Sequence, residues 1–285
     1  RCPDVNIKIK REKFSSITES SILWSKPIFR GIASLYEAMK MGMSTLQWSA
    51  DISYPEESND GLLSKVLDFI TTIFSIMLAI SLFMILPMWL TTKLLSIEKE
   101  ALWFNLSSGS FRIAFFVLYL FLISKIKDIA RLFQYHGAEH KTVYNFESGK
   151  DLTIQNAQFF PTQHPRCGTS FLFIIMLVAI ISFAILDSIF IYYIGELTIW
   201  MRLIIHIPFI PIVASIGYEV LKLTAKYNNN FLFKALSKPG LWLQNITTKE
   251  PNNKQIEVAL TALKVAFNND VSHYTGKQFT AKAIE

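Results

Sequence analysis

Two histidines stand four residues apart, with a glutamate between them, in YHGAEHKTV at residues 135–143. On a helix this spacing brings His136 and His140 to one face, and Glu139 falls nearly on it. Neutral imidazole is the commonest metal ligand. The string also fits H-x-x-E-H, the reversed form of a zinc-protease signature in which the glutamate serves as base. Five residues of such low complexity carry little weight alone. The segment HPRCGTSF adds His164 and Cys167, and thiolate suits zinc well. Arg166 beside Cys167 favours the thiolate form. The chemistry implied is a divalent ion, zinc first, held by His136 and His140 with His164 or Cys167 as third ligand. Glu139 would then be the proton acceptor, with Arg166 or Lys141 steadying developing negative charge. The bland alternative is a polar loop whose histidines are solvated or hydrogen-bonded.

What must position these residues is a very apolar chain. Of 285 residues, 51% are hydrophobic, 23 are Phe, and the mean hydropathy is +0.33. Four apolar stretches, at 62–90, 111–133, 170–195 and 199–223, make an integral membrane protein the expectation, mainly α with about four transmembrane helices. The second stretch has a short clean run and crosses only if its charged half enters the bilayer edge. The net charge of +6 has a simpler cause than nucleic acid, because cytoplasmic loops of membrane proteins collect Lys and Arg. Residues 1–61 hold eight, 125–169 six and 222–285 nine, whereas 91–110 hold two and the turn between the third and fourth stretches none. Both termini and the histidine motif are therefore expected on the cytoplasmic side. The two cysteines form no disulfide framework, which points to a reducing compartment.

The expected organisation is an N-terminal strand and amphipathic helix (1–61), membrane helices one and two (62–133), a His/Cys motif loop (134–169), membrane helices three and four (170–223) and a C-terminal region (224–285). The alternating patterns VNIKIKREK and DLTIQN predict short cytoplasmic strands. Phe29, Ile32, Tyr36, Met39, Met43 and Leu46 recur 3-4-3-4-3 and predict an amphipathic helix, lying on the membrane or against the bundle. YPEESNDG (54–61) reads as a linker. Ile256, Leu260, Leu263 and Phe267 mark a further amphipathic helix, with Asn252 or Asn253 as its cap.

Charges at membrane depth are costly and face a bundle interior or a cavity. Ser124, Asp128, Arg131, Tyr135 and Glu139 form one such polar stripe leading into the histidine motif. Glu219 in SIGYEVLKL is a metal ligand, a partner of Arg131 or a snorkelling residue. Asp187 and Arg202 flank the GEL turn at equal depth, which predicts an ion pair with His206 one turn along.

At YHGAEHKTVYNFESG, HPRCGTSFLF and PGLWLQNITTKEPNNKQIEVAL, over nearly the whole chain, the sequence resembles the YqhQ-like family of bacterial multipass membrane proteins, a domain of unknown function described as predicted metal-dependent enzymes. That resemblance implies the fold and a bacterial inner-membrane location, and the family's characteristic residues match here as His136, Gly137, Glu139, His140, Lys141, His164, Arg166, Cys167, Gly168 and Glu219. With the residue reading above, the candidate metal ligands are His136, His140, His164, Cys167 and Glu219, and no substrate is supplied. The leading expectation is a membrane-embedded metal-dependent hydrolase whose substrate is a lipid, an isoprenoid or a membrane-bound peptide. The alternatives are a non-catalytic protein with a structural metal site that binds a membrane-protein partner, and a homo-oligomeric ion or metal carrier using Asp128, Asp187, Arg202 and His206.

Overall fold

Long apolar runs with few breakers must satisfy their own backbone groups, and helices do this within one segment. A computed structural model of the chain describes residues 6–53, 62–165, 167–226 and 231–276, and it is mainly helical. In chain order the helices are α1 (Ile17–Ser20), α2 (Ile22–Ser25), α3 (Phe29–Ser53), α4 (Leu62–Ile80), a π-helical turn at Ser81–Ile85, and α5 (Leu86–Leu95). Then follow α6 (Ala101–Ile123), α7 (Lys127–Glu147), α8 (Ile154–Gln158), α9 (Gly168–Ile194), α10 (Ile199–Lys226), α11 (Phe231–Thr247), α12 (Asn253–Phe267), a 3₁₀ turn at Asn268–Asp270, and α13 (Val271–Tyr274). Among the described residues, four helical stretches are long and apolar enough to cross a membrane: Val66–Leu95, Ala101–Ile123, Phe171–Ile194 and Ile199–Thr224.

Two expectations need correction. No strand occurs among the described residues. Residues 6–13 stay irregular, and DLTIQN enters α8, because extended segments need a partner ladder and none pairs with them. Thr153 instead caps α8, its side chain accepting the Asn156 N–H, while the Asp151 carbonyl accepts the Asn145 and Asn156 amides. The second apolar helix is Ala101–Ile123 rather than 111–133. Its first half was hidden by Asn105, Ser107, Ser108, Gly109 and Ser110, of which Asn105, Ser108 and Gly109 are buried. The polar stripe from Asp128 to Glu139 therefore lies on a separate helix, α7. The linker expected at 54–61 lies outside the described residues.

The chain forms two compact units. One contains Pro27–Leu118 and Ile175–Tyr218; the other contains the residues up to Lys26, Tyr119–Ile174 and everything from Glu219 onward. In the first unit, proline chemistry explains one long-range bond. Pro87 has no N–H to give the carbonyl four residues earlier, and Arg112 Nε donates to that Phe83 oxygen at 2.8 Å. Met88, Phe104 and Leu203 form one apolar cluster, and Ala179, Phe183 and Val213 another. The predicted ion pair is present: Arg202 Nη1 donates to Asp187 Oδ2, and both side chains are fully buried. Arg202 Nη2 donates to the Glu98 carbonyl at 2.7 Å, and its guanidinium lies 3.7 Å from the Phe104 ring centre. His206 Nε2 and Asn105 Nδ2 complete the carboxylate's shell at 2.8 and 2.6 Å.

Helix α3 forms as the periodicity predicts, but its apolar stripe points outward. Tyr36, Met39, Met43 and Leu46 are exposed, whereas Gly31, Ala33 and Glu37 are buried. A Cβ on Gly31 would overlap Ser215 of α10. Close backbone approach through small residues, not a seam of large ones, joins these helices.

Candidate metal centre

The centre lies within the second unit and is built around α7. After Ile123 the chain makes a short turn, and Ile126 is extended before α7 starts. Asp128 in the first turn complements the positive end of the new helix. One face of α7 is covered by α8 and α12 through Ala138, Ala157, Ile256 and Leu260. Helix α12 begins with a capping box: the Asn252 side chain accepts the Gln255 N–H, and Gln255 Oε1 accepts the Asn252 N–H. Helical periodicity then leaves His136 and His140 on the other side of α7.

Two backbone segments reach that side and orient the imidazoles. The Lys249 N–H donates to the Phe133 carbonyl at 2.9 Å, which draws residues 247–249 along α7. Contact is so close that a Cβ on Gly137 would overlap the Lys249 carbonyl oxygen; glycine follows His136 for this reason. The Thr247 carbonyl, which only accepts, lies 2.9 Å from His136 Nδ1. The Thr162 carbonyl receives His140 Nδ1 in the same way. Each Nδ1 therefore carries a hydrogen, which leaves Nε2 as the ring atom available to a metal ion. Carbonyls in this role are the usual outer partners of metal-ligating histidines.

The third donor is Cys167. Its Sγ lies 3.1 Å from His136 Nε2 and 3.2 Å from Thr169 Oγ1. Donor atoms of His136, His140 and Cys167 all lie within 4.8 Å of one another. A tetrahedral ion with bonds of about 2.0–2.3 Å places its donors roughly 3.3–3.8 Å apart, so the group fits such an ion with small adjustments. Burial pushes the Cys167 thiol up, but hydrogen bonds from His136, His140 and Thr169 outweigh it and bring the pKa down to about 6. Burial likewise disfavours charge on His136. The Cys167 hydrogen bond and charge, the Thr247 carbonyl and nearby Glu139 more than offset it and raise the pKa.

The remaining candidates are placed as follows. His164 is buried and its ring centre is 5.6 Å from that of His140, but it is not one of the three grouped donors. Half-buried Glu219 in α10 is not one of them either. Glu139 is exposed and close enough to His136 to act on its charge. Arg166 lies outside the described residues. Lys141 was expected to face developing charge, yet its ammonium donates to the Gln158 and Phe160 carbonyls at 2.9 and 2.8 Å and pairs with Glu250 at 3.1 Å. These contacts use all three of its hydrogens, so it clasps the end of α8 instead.

Sequence reasoning missed Gln244. This fully buried amide accepts the His164 N–H at 2.7 Å and donates to the His164 carbonyl at 2.9 Å, fastening the segment that carries Cys167. Nothing local in LWLQNITT marks it, because its partner is 80 residues away.

The uncharacterized protein YqhQ of Bacillus subtilis (strain 168) is 31% identical over 249 residues, covering 82% of this chain and 74% of that protein. No solved structure matches the chain. A family model described as protein of unknown function (DUF1385) matches residues 26–269, and the chain belongs to that family.

Proposed function

We propose that the protein is a metal-dependent hydrolase embedded in a bacterial inner membrane, with both termini and the His/Cys centre on the cytoplasmic side. The observation that carries this reading is the pair of carbonyl-anchored imidazoles whose Nε2 atoms converge on Cys167 Sγ. Two nitrogens and one sulfur suit zinc, and three protein donors leave one position of a tetrahedron for solvent. When bound, such an ion acts as a Lewis acid and lowers the pKa of coordinated water toward about 7.

The protein supplies orientation and proton transfer. Thr247 and Thr162 hold the rings, and Gln244 holds the segment before Cys167. Glu139 is the proton acceptor: it is exposed, on the face adjoining His136. Arg166 is the remaining candidate for steadying negative charge. The four apolar helices favour a substrate taken from the bilayer: a lipid, an isoprenoid or a membrane-bound peptide. The distribution of Lys and Arg supports the orientation.

One observation favours a second reading, a closed structural site that organises the region for a membrane-protein partner. His164 is buried with its ring centre 5.6 Å from that of His140, and in this reading it is the fourth ligand. Metal analysis with X-ray absorption on the purified protein separates the two. The hydrolase reading expects one zinc per chain, with two nitrogen ligands, one sulfur and one oxygen. It also expects the metal to be lost in His136→Ala, His140→Ala and Cys167→Ala. Three nitrogens and one sulfur would assign the structural site, and metal-free wild type would end both readings.

A further inference from the structure

We infer that the cavity between α7 and α12 is a phosphate-binding site whose occupant is the headgroup of an anionic phospholipid. It lies on the face of α7 turned away from the histidines and does not depend on the metal centre. The cavity has a volume of about 350 Å³, within the roughly 300–1,000 Å³ typical of small-molecule sites. Lys127, Arg131 and Lys254 line it together with Gln134 and Tyr135, and no carboxylate does.

The cations are not there to balance local acids. Lys127, Arg131 and Lys254 are all exposed and have no ion-pair partner among the described residues. Lys141, which does have an acidic partner, is buried on another side. Three like charges around one concavity repel one another, and an anion relieves that repulsion. Lys127 and Arg131 are one turn apart, so a guanidinium able to grip two phosphate oxygens stands beside a compact ammonium. The third cation, Lys254, is in the first turn of α12, where the helix dipole is also positive. Tyr135 adds a hydroxyl donor, and Gln134, whose Oε1 accepts from Gln255 at 2.9 Å, keeps its own amide hydrogens available.

Location selects the lipid source of the phosphate. The apolar helix Ala101–Ile123 ends four residues before Lys127. The segment leading into α12 is tied to that same end, because Lys249 Nζ donates to the Ser124 carbonyl at 2.6 Å. The cavity floor thus begins where a membrane-spanning helix stops, which is the depth of lipid phosphates. Basic pockets at this depth recognise anionic headgroups.

The test uses the full chain in detergent, titrated by native mass spectrometry with dioleoyl-phosphatidylglycerol, dioleoylglycerol and sn-glycerol 3-phosphate. Each near-surface cation contributes about fivefold, so Lys127→Gln, Arg131→Gln and Lys254→Gln together should weaken phosphatidylglycerol on the order of a hundredfold. Melting should be unchanged because all three side chains are exposed, and Lys264→Gln, about 15 Å further along α12, should bind as wild type. Preference for phosphatidylglycerol over dioleoylglycerol, lost in the triple variant, supports the proposal. Equal binding by the triple variant, or by dioleoylglycerol, overturns it. If sn-glycerol 3-phosphate matches the lipid and is lost in the triple variant, the phosphate site stands and a soluble ester replaces the lipid as its occupant.

Discussion

Gly137→Ala offers a test in which the expected sign is unusual. In a helix interior this change ordinarily stabilises by about 1 kcal/mol, through the lower backbone entropy of alanine. At Gly137, however, the new methyl would overlap the Lys249 carbonyl oxygen and come within 3.3 Å of the Thr162 methyl. Both neighbours belong to segments that orient the metal donors: Thr247 and Lys249 run together, and Thr162 receives His140. Overpacking costs about 1–3 kcal/mol, and weakening the Lys249–Phe133 bond adds about 1 kcal/mol. The net expectation is destabilisation by about 1–3 kcal/mol. Disturbing the outer partners of metal-ligating histidines lowers metal affinity by about 10–100-fold. Gly42→Ala in α3 is the internal standard, because nothing lies within 4 Å of a Cβ there; it should stabilise slightly and leave metal binding alone. Thermal unfolding with and without chelator, plus competition against a fluorescent zinc indicator, measures both quantities. If Gly137→Ala behaves like Gly42→Ala, the packing argument for the metal centre is wrong.

Three further outcomes follow. Asp187→Asn should cost about 3–5 kcal/mol in unfolding experiments, because it leaves Arg202 charged and fully buried without its carboxylate; metal content should stay at the wild-type level. Gln244→Ala should cost about 1–3 kcal/mol, because it removes the acceptor of the buried His164 N–H, while the His164 carbonyl keeps the Cys167 N–H at 3.2 Å, and metal affinity should fall with it. In metal-free protein, thiolate absorbance attributable to Cys167 should titrate near pH 6, and His136→Ala should move it toward the ordinary 9.0. Since folding lowers this pKa, its stabilising contribution is complete above pH 9.0 and disappears as the pH falls through about 6. His136 has the opposite sign: its raised pKa contributes fully below 6.5 and the contribution is lost as pH climbs past the folded value. Because the two slopes oppose each other, the comparison is with variants: an unfolding midpoint whose pH dependence between about 5 and 9 is unchanged in both His136→Ala and Cys167→Ala would contradict both assignments.

Much of the site was legible because its signals are local. The four-residue histidine spacing needs only helical periodicity, and α7 supplies it. Asn252 announced α12 by the same local logic, since its capping box closes within four residues. Asp187 and Arg202 were paired correctly because a tight turn, with Gly195 at φ 90°, sets them at equal depth.

Where local and long-range demands competed, the sequence misled. Apolar content alone shifted the second membrane helix C-terminally, since Asn105 and Ser108 look like breakers until Asp187 and the packed interior receive them. Alternation at 151–156 suggested a strand, but a strand requires a partner and a helix cap requires only Thr153. By itself, then, the chain determined its apolar helices, its basic asymmetry and a pair of imidazoles on one face. Tertiary structure decided which distant sulfur joins them, which carbonyls aim their lone pairs, and that Lys141 clasps α8. Those choices depend on contacts spanning 17 to 111 residues, and no short-range periodicity encodes a separation of that length.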